Sequence, residues 1–256
     1  MKFGVIIPSR LALRPAGRVL GEHGPELWLD GAVASVLGQK GFNQNDWKIY
    51  VGVDPSVVVP ARFYDRVTVV QAARAGQSAA VNAAAELAVL HADVIMLLED
   101  DDRWRPEKTE VQLGHLGDAA FVSCSQSLFD AAGNALGNVI HYPTPSGWLM
   151  TAALWSKLRG LDTSYRWLVD MEWLGRLNQL RRRRVHVTSN CIQDGHGLLE
   201  VGHYATVATY ESPLFLVERT VNPHGGMMAI QQNSAVEREA REEELRIRKT
   251  FGYLPW

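Results

Sequence analysis

Val94-Ile95-Met96-Leu97-Leu98-Glu99-Asp100-Asp101-Asp102 decides the fold of this chain. The apolar half shows no polar alternation, as in a central parallel strand covered on both faces, and it stops abruptly at a run of carboxylates. Upstream, Gly76-Gln77-Ser78 opens an Ala-rich helix that extends to about Leu90, preceded by a short strand at Val67 to Val70. Lys48 to Val53 reads as another strand, closed by Asp54-Pro55-Ser56, and Leu29, Val33, Val36 and Leu37 recur at helical spacing before a stop at Gly38. Phe3 to Ile7 is the opening strand and ends in Pro8-Ser9-Arg10. This alternation predicts the α/β class: a mostly parallel, Rossmann-like sheet with right-handed crossovers and helices on both faces. Ligands of such sheets bind beyond the C-terminal strand ends, which is where Pro8-Ser9-Arg10, Asp54 and the acidic run fall.

The second half is less regular. Phe121 to Ser125 reads as a strand, Asp130 to Gly137 as a turn, and Trp167 to Leu180 as a helix with Leu168, Met171, Leu174 and Leu177 or Leu180 along one side. After a Gly- and His-bearing stretch from Gly195 to His203, Val236 to Thr250 reads as a charged surface helix lacking a broad apolar face, an arm or a partner helix. The expected organisation is one domain over 1–220, built of two halves at 1–115 and 116–220, and a helical extension over 221–256.

Composition excludes several classes. With 256 residues, 46% of them hydrophobic and 21% charged, the chain can bury a large core, and disordered, collagenous and coiled-coil classes fall away. A balance of 26 Lys+Arg against 28 Asp+Glu lacks the field of a general nucleic-acid or anionic-membrane binder, although Arg181 to Arg184 is a local basic run. Cys124 and Cys191 are too few for a disulfide scaffold, and no stretch approaches the ~20 apolar residues of a membrane span, so a cytoplasmic location is the expectation.

Carboxylates gathered at the end of a buried strand are costly unless a cation neutralises them. A hard divalent ion, Mn²⁺ or Mg²⁺, suits such a site, because it is commonly shared between one or two carboxylates and the phosphates of a ligand. A solvated acidic loop, or a helix start favoured by its dipole, is the plainer alternative.

Leu98 to Leu113, LEDDDRWRPEKTEVQL, resembles the Asp-x-Asp-Asp, aromatic, Pro, Glu-Lys pattern of the family 2 glycosyltransferases. Four further segments agree in order: Ile6 to Arg10, Val51 to Ser56, Gly76 to Asn82, and Gly160-Leu161-Asp162 with Val169 to Leu177. The resemblance covers Lys2 to Leu180 and implies a GT-A fold and a hexosyltransferase-type enzyme. Such enzymes mostly invert the anomeric centre while moving a sugar from a nucleoside-diphosphate donor, UDP here, to a hydroxyl acceptor. It implies donor contacts from Pro8, Ser9, Arg10, Asn82, Glu99 and Asp100, and a uracil-reading role for Asp54, whose local alternative is an Asx turn before Pro55. Asp101, then Asp102, would hold the metal, with His203, or else His196, as a third ligand. The family motif begins with aspartate where this chain has Glu99, so its register starts at either Glu99 or Asp100. The family's paired acids read Val169-Asp170 here, which leaves Asp170 as the base.

Trp148, Trp167 and Arg176 are candidate acceptor contacts, with Trp155 and Trp173 nearby; core packing and a Glu172–Arg176 helix pair are the alternatives. The acceptor is a glycan or another hydroxyl compound, with a modified DNA base as a further option beside the basic run. A catalytically silent nucleotide or glycan binder is the non-enzymatic alternative. A nucleotidyltransferase is disfavoured, because the first loop has no glycine until Gly17.

Overall fold

The computed structural model describes residues 1–14, 20, 24–117, 119–189, 207–212, 216–222, 230 and 232–255. In chain order the first half forms β1 (Phe3–Ser9), α1 (Trp28–Leu37), β2 (Trp47–Val53), β3 (Thr68–Gln71), α2 (Gln77–Ala88), β4 (Val94–Leu97), β5 (Arg103–Trp104) and α3 (Lys108–Leu113). The second half adds β6 (Phe121–Cys124), β7 (Gln126–Phe129), β8 (Ala135–Ile140), β9 (Leu149–Thr151), α4 (Ala152–Leu158), α5 (Val169–Gln179), β10 (Arg184–Ser189), β11 (Val207–Ser212), β12 (Val217–Thr220) and α6 (Ser234–Phe251).

The main sheet has eight strands in the order β11-β10-β6-β9-β4-β1-β2-β3. All its pairings are parallel except the two made by β9, which runs antiparallel between β4 and β6. Phe3, Val5 and Ile7 of β1 point to one face, under α1 and α3, while Ile6 points to the other, under α2, α4 and α5. Two apolar layers therefore cover the sheet, as the unbroken apolar runs of β1 and β4 predicted. Close packing explains the Ala-rich character of α2. A Cβ on Gly52 of β2 would stand 2.1 Å from Ala80 O, so the helix backbone lies almost on the strand.

Smaller features differ from the sequence reading. The turn expected over Asp130 to Gly137 is shorter: Asp130 accepts Asn134 N and Nδ2, both at 2.8 Å, and the chain is already extended from Ala135. Strand β8 belongs to a second sheet, in the order β5-β12-β7-β8, which had no counterpart in the sequence reading. Helix α6 buries a narrow stripe of Ala240, Glu243, Ile247 and Phe251 against α5 instead of projecting as an arm. Among the described residues no helix is long and apolar enough to cross a membrane.

Candidate functional site

Four elements meet beyond the C-terminal ends of β1 and β4. Pro8 at the end of β1, Gln77 at the start of α2, Leu98 and Glu99 after β4, Leu161, and Asp170 in the first turn of α5 line one pocket. The strand–helix order of the sequence creates this convergence, since parallel strands all release their loops on the same side. A larger hollow over α1, bordered by Asp30, Ser35 and Arg103, contains none of the predicted residues.

The acidic run is held residue by residue. Ser9 Oγ donates to Asp100 Oδ2 at 2.5 Å, and Gln77 Nε2 donates to Glu99 Oε1 at 2.9 Å. Asn222 Nδ2 donates to Asp101 Oδ2 at 3.0 Å. Asp102, 1% exposed, accepts Ser146 Oγ at 2.6 Å and Thr220 N at 2.9 Å. Burial pushes the Asp100 carboxyl up to about 6 against the Ser9 hydrogen bond, with the charge of Glu99 adding to the effect. Asp101 is held well above the usual carboxylate range by burial and then by the charges of Asp102, Glu99 and Asp100. Asp102 is raised in the same way by burial, with Arg219 opposing. The Arg219 guanidinium lies 4.0 Å from Glu99 Oε2 and its charge also reaches Asp102 and Asp101, while Arg10 acts on Asp100.

That electrostatic deficit is the test of fit for a metal. Among the described residues no three His, Cys, Asp or Glu side chains are arranged to hold an ion. The oxygen donors of Asp101 and Asp102 nevertheless match the chemistry of a hard cation whose remaining ligands come from phosphate and water, and a positive charge there would relieve the repulsion that raises their protonation. His203 lies outside the described residues, as does His196.

Asp170 is half-buried on the pocket wall. Burial pushes its carboxyl up to about 6; the Met171 amide opposes this, and the charge of Glu99 adds to it. Asp54 Oδ1 accepts Gly76 N at 2.8 Å, joining the end of β2 to the start of α2, and Arg10 is exposed beside Asp100.

Other expected contacts belong to the scaffold. Asn82 exchanges two hydrogen bonds with the Leu161 backbone, which occupies both ends of its amide, so it is not placed to hold a donor. Arg176 makes a bidentate pair with Glu172, at 2.6 and 2.7 Å, and donates to Leu158 O and Gly160 O, so its guanidinium is not available to an acceptor. Trp148 is fully buried, stacked on Trp173 with ring centroids 4.5 Å apart, and Trp155 stacks on Trp173 in turn. These indoles fill the layer under α4 and α5, which corrects the expectation that Trp148 contacts an acceptor. Trp167 points its indole N–H at Glu239 of α6. Lys108, from the Glu-Lys of the motif, is also buried, 4.0 Å from the Trp104 ring and 2.6 Å from Gln112 Oε1.

Sequence reasoning missed Ser146, Arg219, Thr220 and Asn222. All four act on the acidic run from positions distant in the chain, and nothing local in Val217-Glu218-Arg219-Thr220 marks it as a strap across those carboxylates.

Comparison with solved structures supports the architecture. S. aureus TarS 1–349 in complex with UDP superposes with a TM-score of 0.55 at 12% identity, covering 93% of this chain and 65% of that one. S. aureus TarS gives 0.56 at 12% identity, covering 93% of this chain and 39% of that one. The 1–349 form in complex with UDP-GlcNAc gives 0.54 at 12%, covering 90% and 61%. The chain thus spans about two thirds or less of these structures, and the likeness is one of GT-A fold. Among curated proteins, none matches the chain in sequence. A sequence model described as glycosyl transferase family 2 matches residues 21–177, a stretch that runs from ahead of α1 through the acidic turn to Arg176 and Leu177 of the Asp170 helix. With the acidic turn and the Asp170 helix brought onto one pocket and more than half of the chain matched, the protein belongs to glycosyl transferase family 2.

Proposed function

We propose that the protein transfers a sugar from a nucleoside-diphosphate donor, of the uridine type, to a hydroxyl acceptor with inversion, Asp170 serving as the base. The observation that carries this reading is the shared pocket: Asp170 and Glu99 line it together at the strand ends, where ligands of such sheets bind. The UDP and UDP-GlcNAc bound to TarS point to the same donor class.

Asp101, with Asp102 beside it, would hold Mn²⁺ or Mg²⁺. When bound, that ion supplies positive charge to the departing diphosphate. The remaining work falls to the chain. Asp54 meets the base edge, Ser9 and Asp100 set the floor of the donor site, and Arg219 offers a cation beside Glu99. Asp170 takes the proton of the acceptor hydroxyl; its raised carboxyl, at about 6, is a stronger base than an ordinary aspartate and is still ionised at neutral pH.

Thermal unfolding against UDP, ADP, GDP and their sugar conjugates, each with and without Mn²⁺, tests the proposal, because a ligand of the folded state raises its stability. A metal-dependent rise confined to uridine compounds is expected. No rise with any nucleotide would overturn the donor assignment.

A further inference from the structure

Helix α5 presents Asp170 in its first turn, yet Leu168 at its N-cap offers no side-chain acceptor. The amides of the lead-in, up to and including the N-cap, find their acceptor on α6. Glu243 Oε1 accepts Arg166 N at 2.7 Å, and Glu243 Oε2 accepts Trp167 N and Leu168 N, each at 2.9 Å. Glu243 is only 8% exposed, so these charge-assisted bonds are largely shielded from water. The surrounding contacts fix the carboxylate in turn. Ile247 and Phe251 of α6 pack on Tyr165, Leu168 and Val169, and a Cβ on Gly175 would stand 2.5 Å from the Phe251 ring.

We propose that Glu243 is the positioning residue for Asp170: by gathering the amides of Arg166, Trp167 and Leu168, it fixes where α5 begins and thereby holds the Asp170 carboxylate on the pocket wall. Released from these bonds, the segment that leads into α5 is free to shift, and Asp170 follows it in the first turn of that helix. Displacing a base by about 1 Å costs up to about 10²-fold in rate. The inference rests on the reading of Asp170 as the base, and it assigns α6, outside the 21–177 family match, a part in the reaction.

Glu243→Gln in the full chain tests it, since the amide keeps the size of the side chain but replaces one acceptor oxygen with a donor. Amide exchange at Arg166, Trp167 and Leu168 should quicken by about tenfold or more while β1 stays protected, and the titration midpoint of the Asp170 carboxyl, followed by carbon NMR, should move. In the reaction, kcat per UDP-binding site should fall by about tenfold to 10²-fold with donor KM within about twofold. Glu243→Asp, which keeps the charge, should fall between, and it carries the same test if Glu243→Gln does not fold. Glu244→Gln, on an exposed pair with Arg248 of the same helix, should match wild type. Wild-type exchange and an unmoved Asp170 titration would overturn the proposal. Altered exchange and titration with unchanged turnover would uphold the coupling and remove Asp170 from the base role.

Discussion

Asn82 and Leu161 exchange a matched pair of hydrogen bonds, Asn82 Nδ2 to Leu161 O and Leu161 N to Asn82 Oδ1, each 2.8 Å long. Gly160, at φ 69°, sits so close that a Cβ there would fall 2.5 Å from Asn82 Oδ1. The Gly76 to Asn82 and Gly160-Leu161-Asp162 segments are thus two halves of one joint, which fastens α2 to the loop leading toward α5. Asn82→Ala leaves the Leu161 amide and carbonyl without partners and should cost about 1–3 kcal/mol in denaturant unfolding, with nucleotide affinity retained. Lost affinity at unchanged stability would mean that Asn82 touches the donor after all.

Gly160→Ala strikes the same joint from the other side. The left-handed backbone and the contact with Asn82 both oppose a side chain, so a loss on the order of 1–3 kcal/mol is expected. Combining it with Asn82→Ala should cost less than the sum, because the second change removes the atom that the first one strikes. Strict additivity in the double mutant would contradict this joint.

The proposed base role of Asp170 predicts a pH dependence of transfer. Its carboxyl must be ionised to take a proton, so kcat should climb with pH through a midpoint of about 6 and level off about one unit above it. Asp170→Asn should lower transfer by about 10²-fold or more and abolish that ascending limb, while UDP binding measured by calorimetry stays near wild type. A retained limb in the variant would assign the titration to another group.

Stability should move the opposite way. The folded chain holds the Asp170 proton up to about 6, against an ordinary 3.8, so between these values the folded state binds more protons than the unfolded one, and stability falls as pH rises. The penalty is absent below the lower value and complete above the upper one. Asparagine cannot ionise, so Asp170→Asn should be the more stable protein at pH 8, by on the order of 1–2 kcal/mol after allowance for the solvated pocket edge, with no margin near pH 3.5. Equal melting temperatures across that range would show that the carboxylate is not desolvated.

The strand-end layout was legible because it rests on local signals. The unbroken apolar runs of β1 and β4 pointed to a sheet covered on both faces, and the turn after each strand followed. What stayed hidden depends on long-range pairing. The strap formed by Arg219, Thr220 and Asn222 reaches the acidic run across more than a hundred residues, and a strand as short as β12 carries no composition that announces its partner. Trp148 and Arg176 stayed between two readings for a related reason: an indole or a guanidinium looks the same in sequence whether it faces a ligand or fills the core, and only the stacking on Trp173 and the Glu172 pair decide for the scaffold. Glu243 was likewise indistinguishable from the exposed acids around it.

Arg219 and Asp101 should act on metal affinity with opposite signs. The guanidinium, 4.0 Å from Glu99, supplies the positive charge that an ion would otherwise supply, so it competes with that ion for the same carboxylates. Arg219→Gln removes the competitor. At an effective dielectric appropriate to a part-buried site, a unit charge at such a distance is worth a few kcal/mol at most, so Mn²⁺ titrated in the absence of nucleotide should bind several-fold tighter or more. Nucleotide binding without metal should weaken, since the diphosphate then meets uncompensated carboxylates. Asp101→Ala should do the reverse, removing the metal-dependent part of nucleotide binding, and a chelator should change the wild type but not this variant. If Arg219→Gln left Mn²⁺ affinity unchanged while Asp101→Ala left the chelator response intact, the acidic run would be a structural turn and the search for a cation site would move elsewhere.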